Sequence, residues 1–201
     1  MSDHPFVDAV DPEVAFDILS DPTRVAILRA LWEAAGHEAT FSELREATDV
    51  ADSGRFNYHL GRFDGTFVTK ADEGYRLRLA GVQVVGSILA GAYTKEGFAD
   101  PVAVEESCPL CGGALTFRYE QEVGTVDCED CGVLSRFGVP PGVLADYELA
   151  AFPAVVERYA RSRARLAREG FCPYCEGRTD PRLTTAAETV SGHSSGFVQW
   201  V

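Results

Sequence analysis

Lysine is almost absent from this acidic chain of 201 residues, which has two lysines, Lys70 and Lys95, against sixteen arginines. The formal net charge is −13, and the excess acid is spread evenly along the sequence. Because nucleic-acid partners usually meet a basic surface, this charge argues against one at first sight. An even acidic coat with few lysines, however, resembles proteins of salt-loving archaea, in which net charge reflects solubility in brine. Stretches that lack acidic residues are therefore more informative than the net charge of the whole chain.

The chain also lacks a long apolar run and a leader-type start. Its longest apolar stretch, around Val82 to Ala92, is much shorter than a membrane span, and no basic segment precedes an apolar one at the N-terminus. Apolar residues make up 46% of the sequence, which is enough for packed cores. We expect a cytoplasmic protein of one or two small domains with no membrane partner.

Helical patterns dominate the first 63 residues. Apolar residues recur at three- and four-residue steps from Asp11 to about Ala35, and Pro22 inside this run predicts two helices rather than one. Another helix is expected after a cap at Thr40 or Ser42. A further helix is predicted from about Ser53 to Phe63, with its apolar side chains at a helical spacing.

A hairpin is predicted directly after these helices. Two alternating runs between Phe67 and Leu79 flank an acidic turn that ends in Gly74. Two short helices joined by a tight turn and followed by a hairpin are typical of a winged helix-turn-helix, in which the second helix enters the major groove of DNA and the hairpin touches its backbone. An apolar helix from Val82 to about Tyr93 is expected to follow.

The stretch from Ser53 to Phe63 contains no acidic residue, an informative gap in so acidic a chain. Arg55 and Asn57 have the chemistry for bidentate contacts to guanine and adenine. An ordinary surface helix is the alternative, and the hairpin that follows argues against it. The candidate DNA contacts are Ser53, Arg55, Asn57, Tyr58, His59 and Arg62 on the helix, with Lys70 and Arg76 on the hairpin; His59 alone would more often be a structural or phosphate-contacting residue.

The segment Phe16 to Leu28, the core Phe56-Asn57-Tyr58-His59-Leu60 and the strand Gly74-Tyr75-Arg76-Leu77 together resemble ArsR-type winged-helix regulators, particularly the archaeal ones that carry zinc ribbons. The resemblance covers roughly residues 11 to 97. It implies a homodimer that binds a near-palindromic operator in double-stranded DNA. This chain departs from the metal sensors of that type, because no cysteine precedes Cys108 and the stretch Val82 to Tyr93 carries neither histidine nor carboxylate. Metal sensing by the winged helix is therefore not expected.

Six cysteines form three CxxC pairs, and the first two predict a zinc ribbon. Cys108 and Cys111 are followed after sixteen residues by Cys128 and Cys131, a spacing at which four thiolates close a tetrahedral shell around Zn²⁺. A closed shell leaves no position for water, so the zinc is expected to be structural. Two redox pairs are the alternative, but no βαβ context accompanies either pair.

The third pair, Cys172 and Cys175, looks like the first half of another ribbon without a second half. His193 is the only nearby candidate ligand, and the sequence stops on the apolar run Phe197 to Val201. We expect a missing continuation to supply the other knuckle. Two protomers sharing one ion, or a free or oxidised dithiol, are the alternatives.

A helix rich in arginine is predicted from Tyr147 to Glu169, and strands over 183–190 and 196–201. Arg158, Arg161 and Arg165 share one face of this helix, where they either bind phosphates or, as we favour, offset the acidic coat. We expect an α+β fold with a winged helix-turn-helix over 1–98, a zinc ribbon over 103–140, a helical connector over 141–169 and a partial second ribbon-like segment over 170–201.

The function predicted from these features is regulation of transcription through DNA binding. A zinc-ribbon adaptor whose winged helix contacts proteins is the alternative. An enzyme is not expected, because no Ser/His/Asp set, phosphate loop or paired-acid site stands out.

Overall fold

The computed structural model describes residues 11–63 and 65–180. The chain divides into two compact units, Met1–Ile88 and Leu89–Val201. The predicted α+β class is confirmed, since the described residues form six α-helices and two antiparallel sheets. No helix within these described ranges is long and apolar enough to span a membrane. The predicted strands over 183–190 and 196–201, and His193, lie outside the described residues.

Five helices belong wholly or mainly to the first unit, and four of them begin after a side chain that caps their first turn. Asp11, Asp21, Thr40 and Asp52 each accept a hydrogen bond from a backbone N–H of the helix that follows. The break predicted at Pro22 is confirmed, because Pro22 is the first residue of the second helix. The helices are α1 (Pro12–Leu19), α2 (Pro22–Glu33), α3 (Phe41–Ala47), α4 (Ser53–Gly61) and α5 (Leu79–Leu89).

A buried arginine closes the end of α1. The guanidinium of Arg24 donates hydrogen bonds to the backbone carbonyls of Ile18 and Asp17 in the last turn of α1, where the carbonyls of a helix lack partners from the next turn. Arg24 itself lies near the start of α2. One side chain therefore joins the two helices across the break at Pro22.

The sheet of the first unit contains the predicted hairpin and one further strand. Strands β2 (Val68–Lys70) and β3 (Tyr75–Leu77) pair antiparallel, and β1 (Glu38–Ala39) pairs with the other side of β3. Helix α5 begins at Leu79, directly after the hairpin, three residues earlier than predicted, and ends at Leu89 rather than near Tyr93. The side chains that the core of this unit buries most completely are Ile27, Leu28, Leu31, Leu44, Phe56, Phe63 and Val85.

The second unit is a four-stranded antiparallel sheet with one long helix. Its strands lie in sequence order, so each pairs with the next along the chain. The helix begins at Phe152 rather than Tyr147, because residues 149–151 form a 3₁₀ turn before it. The elements are β4 (Phe98–Val104), β5 (Leu115–Glu120), β6 (Val123–Cys128), β7 (Gly132–Gly138) and α6 (Phe152–Arg168).

The segment around Asp100 and Pro101, which lies between the winged-helix and zinc-ribbon ranges predicted from sequence, is instead part of β4. The pairing register of β4 with β5 shifts between Ala99 and Val102, so Pro101 lies in a bulge of an edge strand. An edge bulge is where a sheet tolerates a residue that has no N–H to donate. The apolar core beside this sheet contains Phe117, Tyr119, Val139, Leu144, Val155 and Val156, and the Tyr119 hydroxyl donates to the Val139 carbonyl over 2.7 Å.

Candidate metal centre and nucleic-acid interface

Four cysteine side chains meet at one end of the second sheet. Cys108 and Cys111 lie just before β5, and Cys128 and Cys131 lie where β6 turns into β7. Because β5 and β6 are antiparallel, with Leu115 opposite Cys128, the two CxxC turns are brought to the same end of the hairpin. All four sulfur atoms lie within 4.8 Å of one another.

The backbone around these sulfurs has the conformation that a thiolate site needs. The N–H of Leu110 points to the Cys108 sulfur and the N–H of Gly113 to the Cys111 sulfur, each over 3.4 Å. Gly112 and Gly132, each one residue after the second cysteine of its pair, have φ of +80° and +76°. Glycine adopts this left-handed conformation without a steric penalty, so both glycines allow the backbone to turn behind the sulfurs.

Without a cation, the four thiols cannot all ionise together. Burial raises the pKa of Cys108, but hydrogen bonds from backbone N–H groups and from neighbouring thiols outweigh it and lower that pKa to about 7. The N–H of Gly113 lowers the pKa of Cys111, yet the hydrogen bonds within the thiol cluster raise it to about 12. Ionisation of the Cys108 thiol is therefore favoured, whereas ionisation of the neighbouring Cys111 thiol is disfavoured.

A metal ion would remove this conflict, because a divalent cation stabilises all four thiolates at once. The donor set fits a soft or borderline ion, since it consists of thiolates alone. Four sulfurs that surround one point leave no open coordination position. The cluster could therefore hold a metal ion in a structural role.

The third pair takes no part in this cluster. Cys172 and Cys175 follow the end of α6, and the group of sulfurs that could share an ion contains only the other four cysteines among the described residues. Cys172 is half-buried and Cys175 is exposed.

In the first unit, α4 presents one buried face and one exposed face. Phe56, Leu60 and Phe63 are buried as their spacing predicted. Ser53, Arg55, Asn57 and Tyr58 are exposed, and the Tyr58 side chain leaves 60% of its surface in solvent. No described acidic side chain forms an ion pair with Arg55.

Small residues lie beside Tyr58 on the outward face of α4. Gly54 and Gly61 stand four residues before and three residues after Tyr58, and both are exposed. At this spacing the three residues share one side of a helix. The outward centre of α4 therefore has one large side chain between two glycines, of which Gly61 has open space around it and Gly54 lies next to the Asp52 carboxylate.

His59, one of the candidate DNA contacts, is buried with 4% of its surface exposed. Neither ring nitrogen forms a hydrogen bond within the described residues, and Nδ1 lies 3.7 Å from Oδ1 of Asp21. Burial raises the pKa of Asp21, but hydrogen bonds from the backbone of Arg24 and Thr23, together with the electrostatic effect of the nearby His59 and Arg24 side chains, lower it overall. His59 therefore belongs to the interior between α2 and α4 and not to the exposed face.

Two further candidates are exposed but already paired with acids. Arg62 contacts the Asp17 carboxylate over 2.5 Å, and Arg76 contacts Glu38 over 2.6 Å. Lys70 is exposed on β2. Sequence reasoning missed the acidic partners because 45 and 38 residues separate them from their arginines, so no local pattern connects them.

The arginines of α6 also have partners. Arg161 pairs with Glu157 and Arg165 with Glu169 along the helix, and the Arg158 guanidinium lies over the Tyr147 ring at 5.9 Å. These contacts favour the interpretation that this face offsets the acidic coat.

Two family models match the chain, both described as domains of unknown function. Residues 12–88 match the domain of unknown function DUF7347, and residues 105–199 match the domain of unknown function DUF7351. No curated protein and no solved structure matches the chain. The first matched range ends at residue 88, where the first compact unit also ends.

Proposed function

We propose that this chain is a cytoplasmic regulator of transcription whose first unit is a winged helix-turn-helix that binds double-stranded DNA as a homodimer. In this proposal α3 and α4 form the helix-turn-helix, and the hairpin of β2 and β3 is the wing. The protein acts by binding and not as an enzyme. The second unit is a ribbon held together by one structural zinc ion.

The exposed face of α4 carries this proposal. Arg55 and Asn57 are exposed on a helix whose opposite face is anchored in the core by Phe56 and Phe63. A helix fixed in this way presents its outer side chains at set positions, as base readout requires. Gly61 leaves the backbone open to close approach on one side of Tyr58, whereas the Asp52 carboxylate lies next to Gly54 on the other side.

Because the chain has few unpaired cations on this face, its binding depends less on phosphate attraction than that of most DNA-binding proteins. Arg55 on α4 and Lys70 on β2 are exposed basic side chains without an ion pair among the described residues, whereas Arg62 and Arg76 are paired with carboxylates. Each phosphate contact contributes roughly −0.9 to the slope of log affinity against log salt. We therefore expect a shallow salt dependence, which suits a protein that works in brine.

Zinc is proposed for the four-cysteine cluster because a Cys₄ tetrahedron is one of the shells typical of structural zinc. Cys108 and Cys128 are buried beside Leu115, so the ion would tie the two turns to a small apolar cluster. A unit of this size gains stability from such an ion, because the binding free energy of the metal becomes folding free energy.

The decisive experiment selects binding sites from random double-stranded DNA at high salt and then measures the affinity of variants for the selected site. Arg55→Ala and Asn57→Ala should each weaken specific binding by ~1 to 3 kcal/mol, the usual loss for a base contact. Their far-ultraviolet circular dichroism should equal that of the unchanged protein. Arg29→Ala is the matched control, because Arg29 is exposed on α2, outside the proposed interface.

Failure to enrich any site, or equal affinity for the selected site in all three variants, would refute the DNA-reading role of α4. Enrichment of paired half-sites one or more helical turns apart would support the dimer. A single half-site would refute it.

An adaptor function is the second candidate, and the same face supplies the observation that favours it. Two of the predicted phosphate contacts, Arg62 and Arg76, are neutralised by acids, and Tyr58 stands exposed between glycines. An exposed aromatic residue on a weakly charged helix is typical of a protein interface. Under this alternative, Tyr58→Ala abolishes capture of a protein partner while random DNA yields no selected site.

A further inference from the structure

His59 is a buried polar residue on α4, the helix proposed to read DNA. Its surface is 4% exposed, and neither ring nitrogen has a hydrogen-bond partner among the described residues. Burial of a polar group without such a partner lowers the stability of a fold, whereas an apolar side chain of similar size would fill the same space without that loss. Packing of the first unit alone therefore does not account for a histidine at this position.

One carboxylate lies near enough to pair with the ring when the ring is protonated. Nδ1 of His59 lies 3.7 Å from Oδ1 of Asp21, too far for a hydrogen bond but close for two opposite charges. Asp21 is fixed as the cap of α2, because it accepts from the backbone N–H groups of Thr23 and Arg24. Although burial raises the pKa of Asp21, these hydrogen bonds lower it below its ordinary value, so the carboxylate stays charged where histidines titrate.

The other charged groups around this pair already have partners. The guanidinium of Arg24 donates to two backbone carbonyls in the last turn of α1, and the negative end of that helix offsets its charge. Arg62, three residues after His59 on α4, forms an ion pair with the Asp17 carboxylate. A proton on the His59 ring would therefore be balanced by Asp21.

His59 also contacts the exposed face of α4. Its ring lies against the Tyr58 ring, with the two centroids 5.5 Å apart and the planes inclined by 69°. Tyr58 is 60% exposed and lies on the same helix as the exposed Arg55 and Asn57. A tight pair of His59 and Asp21 would fix α4 against the start of α2, and with it the side chains proposed to meet the bases.

We propose that DNA binding by this chain is coupled to protonation of His59, so that the affinity rises as the pH falls. This regulation rests on the proposed DNA-binding function. Protonation draws the His59 ring into an ion pair with Asp21 and holds α4 in place for base readout. The added positive charge also favours the approach of phosphates to a face with few unpaired cations. By linkage, DNA binding and proton uptake strengthen each other.

The test measures the affinity of the full chain for the selected DNA site at fixed salt, from about pH 6 to about pH 8, where histidines change charge. The affinity of the unchanged chain should fall about two- to tenfold as the pH rises, the range expected for the loss of one hydrogen bond. His59→Gln cannot take up a proton in this range and should have the weaker affinity at every pH.

His37→Gln is the matched control, because it removes a half-buried histidine from the same unit. Nδ1 of His37 already lies 2.9 Å from the Trp32 carbonyl oxygen. This variant should keep the pH dependence of the unchanged chain, which shows that the effect belongs to His59 and not to histidines of the first unit in general.

A measurement without DNA tests the pair itself. Nitrogen NMR of the imidazole rings should show that His59 gains a proton as the pH falls. Less of it should be protonated at the same pH in Asp21→Asn, because asparagine keeps the cap of α2 but lacks the charge. A His59 ring that stays neutral throughout would overturn the proposal.

Stability separates this coupling from a merely structural role. His59→Leu should be at least as stable as the unchanged chain to urea at about pH 8, because it removes a buried polar group that has no partner when neutral. The same variant should bind DNA more weakly at low pH and without pH dependence.

Two further outcomes are distinguishable. If a DNA site is selected but its affinity for the unchanged chain does not vary with pH, or varies equally in His59→Gln, the coupling is overturned and the DNA-binding function stands. If no site is enriched at any pH, the DNA-binding function is refuted and the coupling falls with it.

Discussion

The sequence predicts that Arg62 is free to contact DNA, whereas in the structure its guanidinium already forms an ion pair. It lies at the end of α4 among candidate DNA contacts, yet its guanidinium contacts Asp17 of α1. An exposed pair of this kind contributes about 0.2 to 1 kcal/mol to stability. DNA that reached Arg62 would have to compete with this carboxylate.

We therefore predict that Asp17→Asn strengthens binding to a selected DNA site. The change frees Arg62 from a charged partner and removes a negative charge next to the proposed interface. The affinity should rise about two- to fivefold, which corresponds to the modest strength of an exposed ion pair. Fluorescence anisotropy at fixed salt measures it.

Glu13→Gln is the control for this prediction, because it removes the same charge from the same helix at an exposed position that has no ion pair with any residue the structure describes. If both variants bind equally tightly, the effect is one of net charge and Arg62 makes no contact with DNA.

His59 shows the limit of sequence reasoning at this scale. The polarity of histidine suggests a surface position, whereas its helical spacing with Phe56 and Phe63 places it on the buried side of α4. Burial of one polar side chain depends on what α2 supplies opposite it, here Asp21. The spacing within α4 thus indicates the burial of His59, and only the identity of the opposite residue, Asp21, is missing from any local pattern.

Among the elements, α5 packs closely against the hairpin that precedes it. A Cβ atom added to Gly81 would lie 2.5 Å from the Phe67 carbonyl oxygen and 2.8 Å from Cδ2 of Leu77. The same atom at Gly86, one and a half turns further along the helix, would have nothing within 4 Å. Gly81 is therefore packed tightly against the hairpin, whereas Gly86 has space for a larger side chain.

We predict opposite effects on stability for the two alanine variants. Gly81→Ala should destabilise the first unit by about 1 to 3 kcal/mol, because backbone must move to admit the methyl group. Gly86→Ala should stabilise it by roughly 0.5 to 1 kcal/mol, since alanine favours the helix and the site is open. Urea denaturation followed by circular dichroism measures both. Equal effects would contradict the close packing of α5 on the hairpin.

At the element scale, the helices and the hairpin of the first unit were predictable, whereas several strands, β1 and β4 among them, were not. The pattern of α4 and the cap at Thr40 are local, so the sequence contains them. Strand β1 has only two residues, and β4 includes Pro101, which the sequence pattern treats as a stop. Both strands depend on pairing with distant residues. The spacing of the first two CxxC pairs, in contrast, was sufficient to predict their convergence.

On the scale of the whole molecule, the two units have separate cores. One core is formed by the helices and hairpin of the first unit, and the other lies beside the sheet that carries the four cysteines. A metal in that cluster would stabilise the second core without contributing to the first.

Removal of metal should therefore affect one unit only. After treatment with a strong chelator, amide hydrogen exchange should speed up in peptides from residues 115–138 and stay unchanged in peptides from α2 and α4. Cys111→Ser should give the same pattern without chelator, because it removes one ligand. Increased exchange in both units, or in neither, would contradict this division.

The four sulfurs of the cluster are not equivalent in their access to solvent, since Cys108 and Cys128 are buried while Cys111 and Cys131 are exposed. Each turn thus contributes one inner and one outer sulfur, and a bound ion would have one solvent-facing side. We expect this asymmetry to affect the rate at which a bound ion is lost. Chelators and oxidants would reach the outer pair first, so that release begins with two sulfurs detached and two still holding the ion.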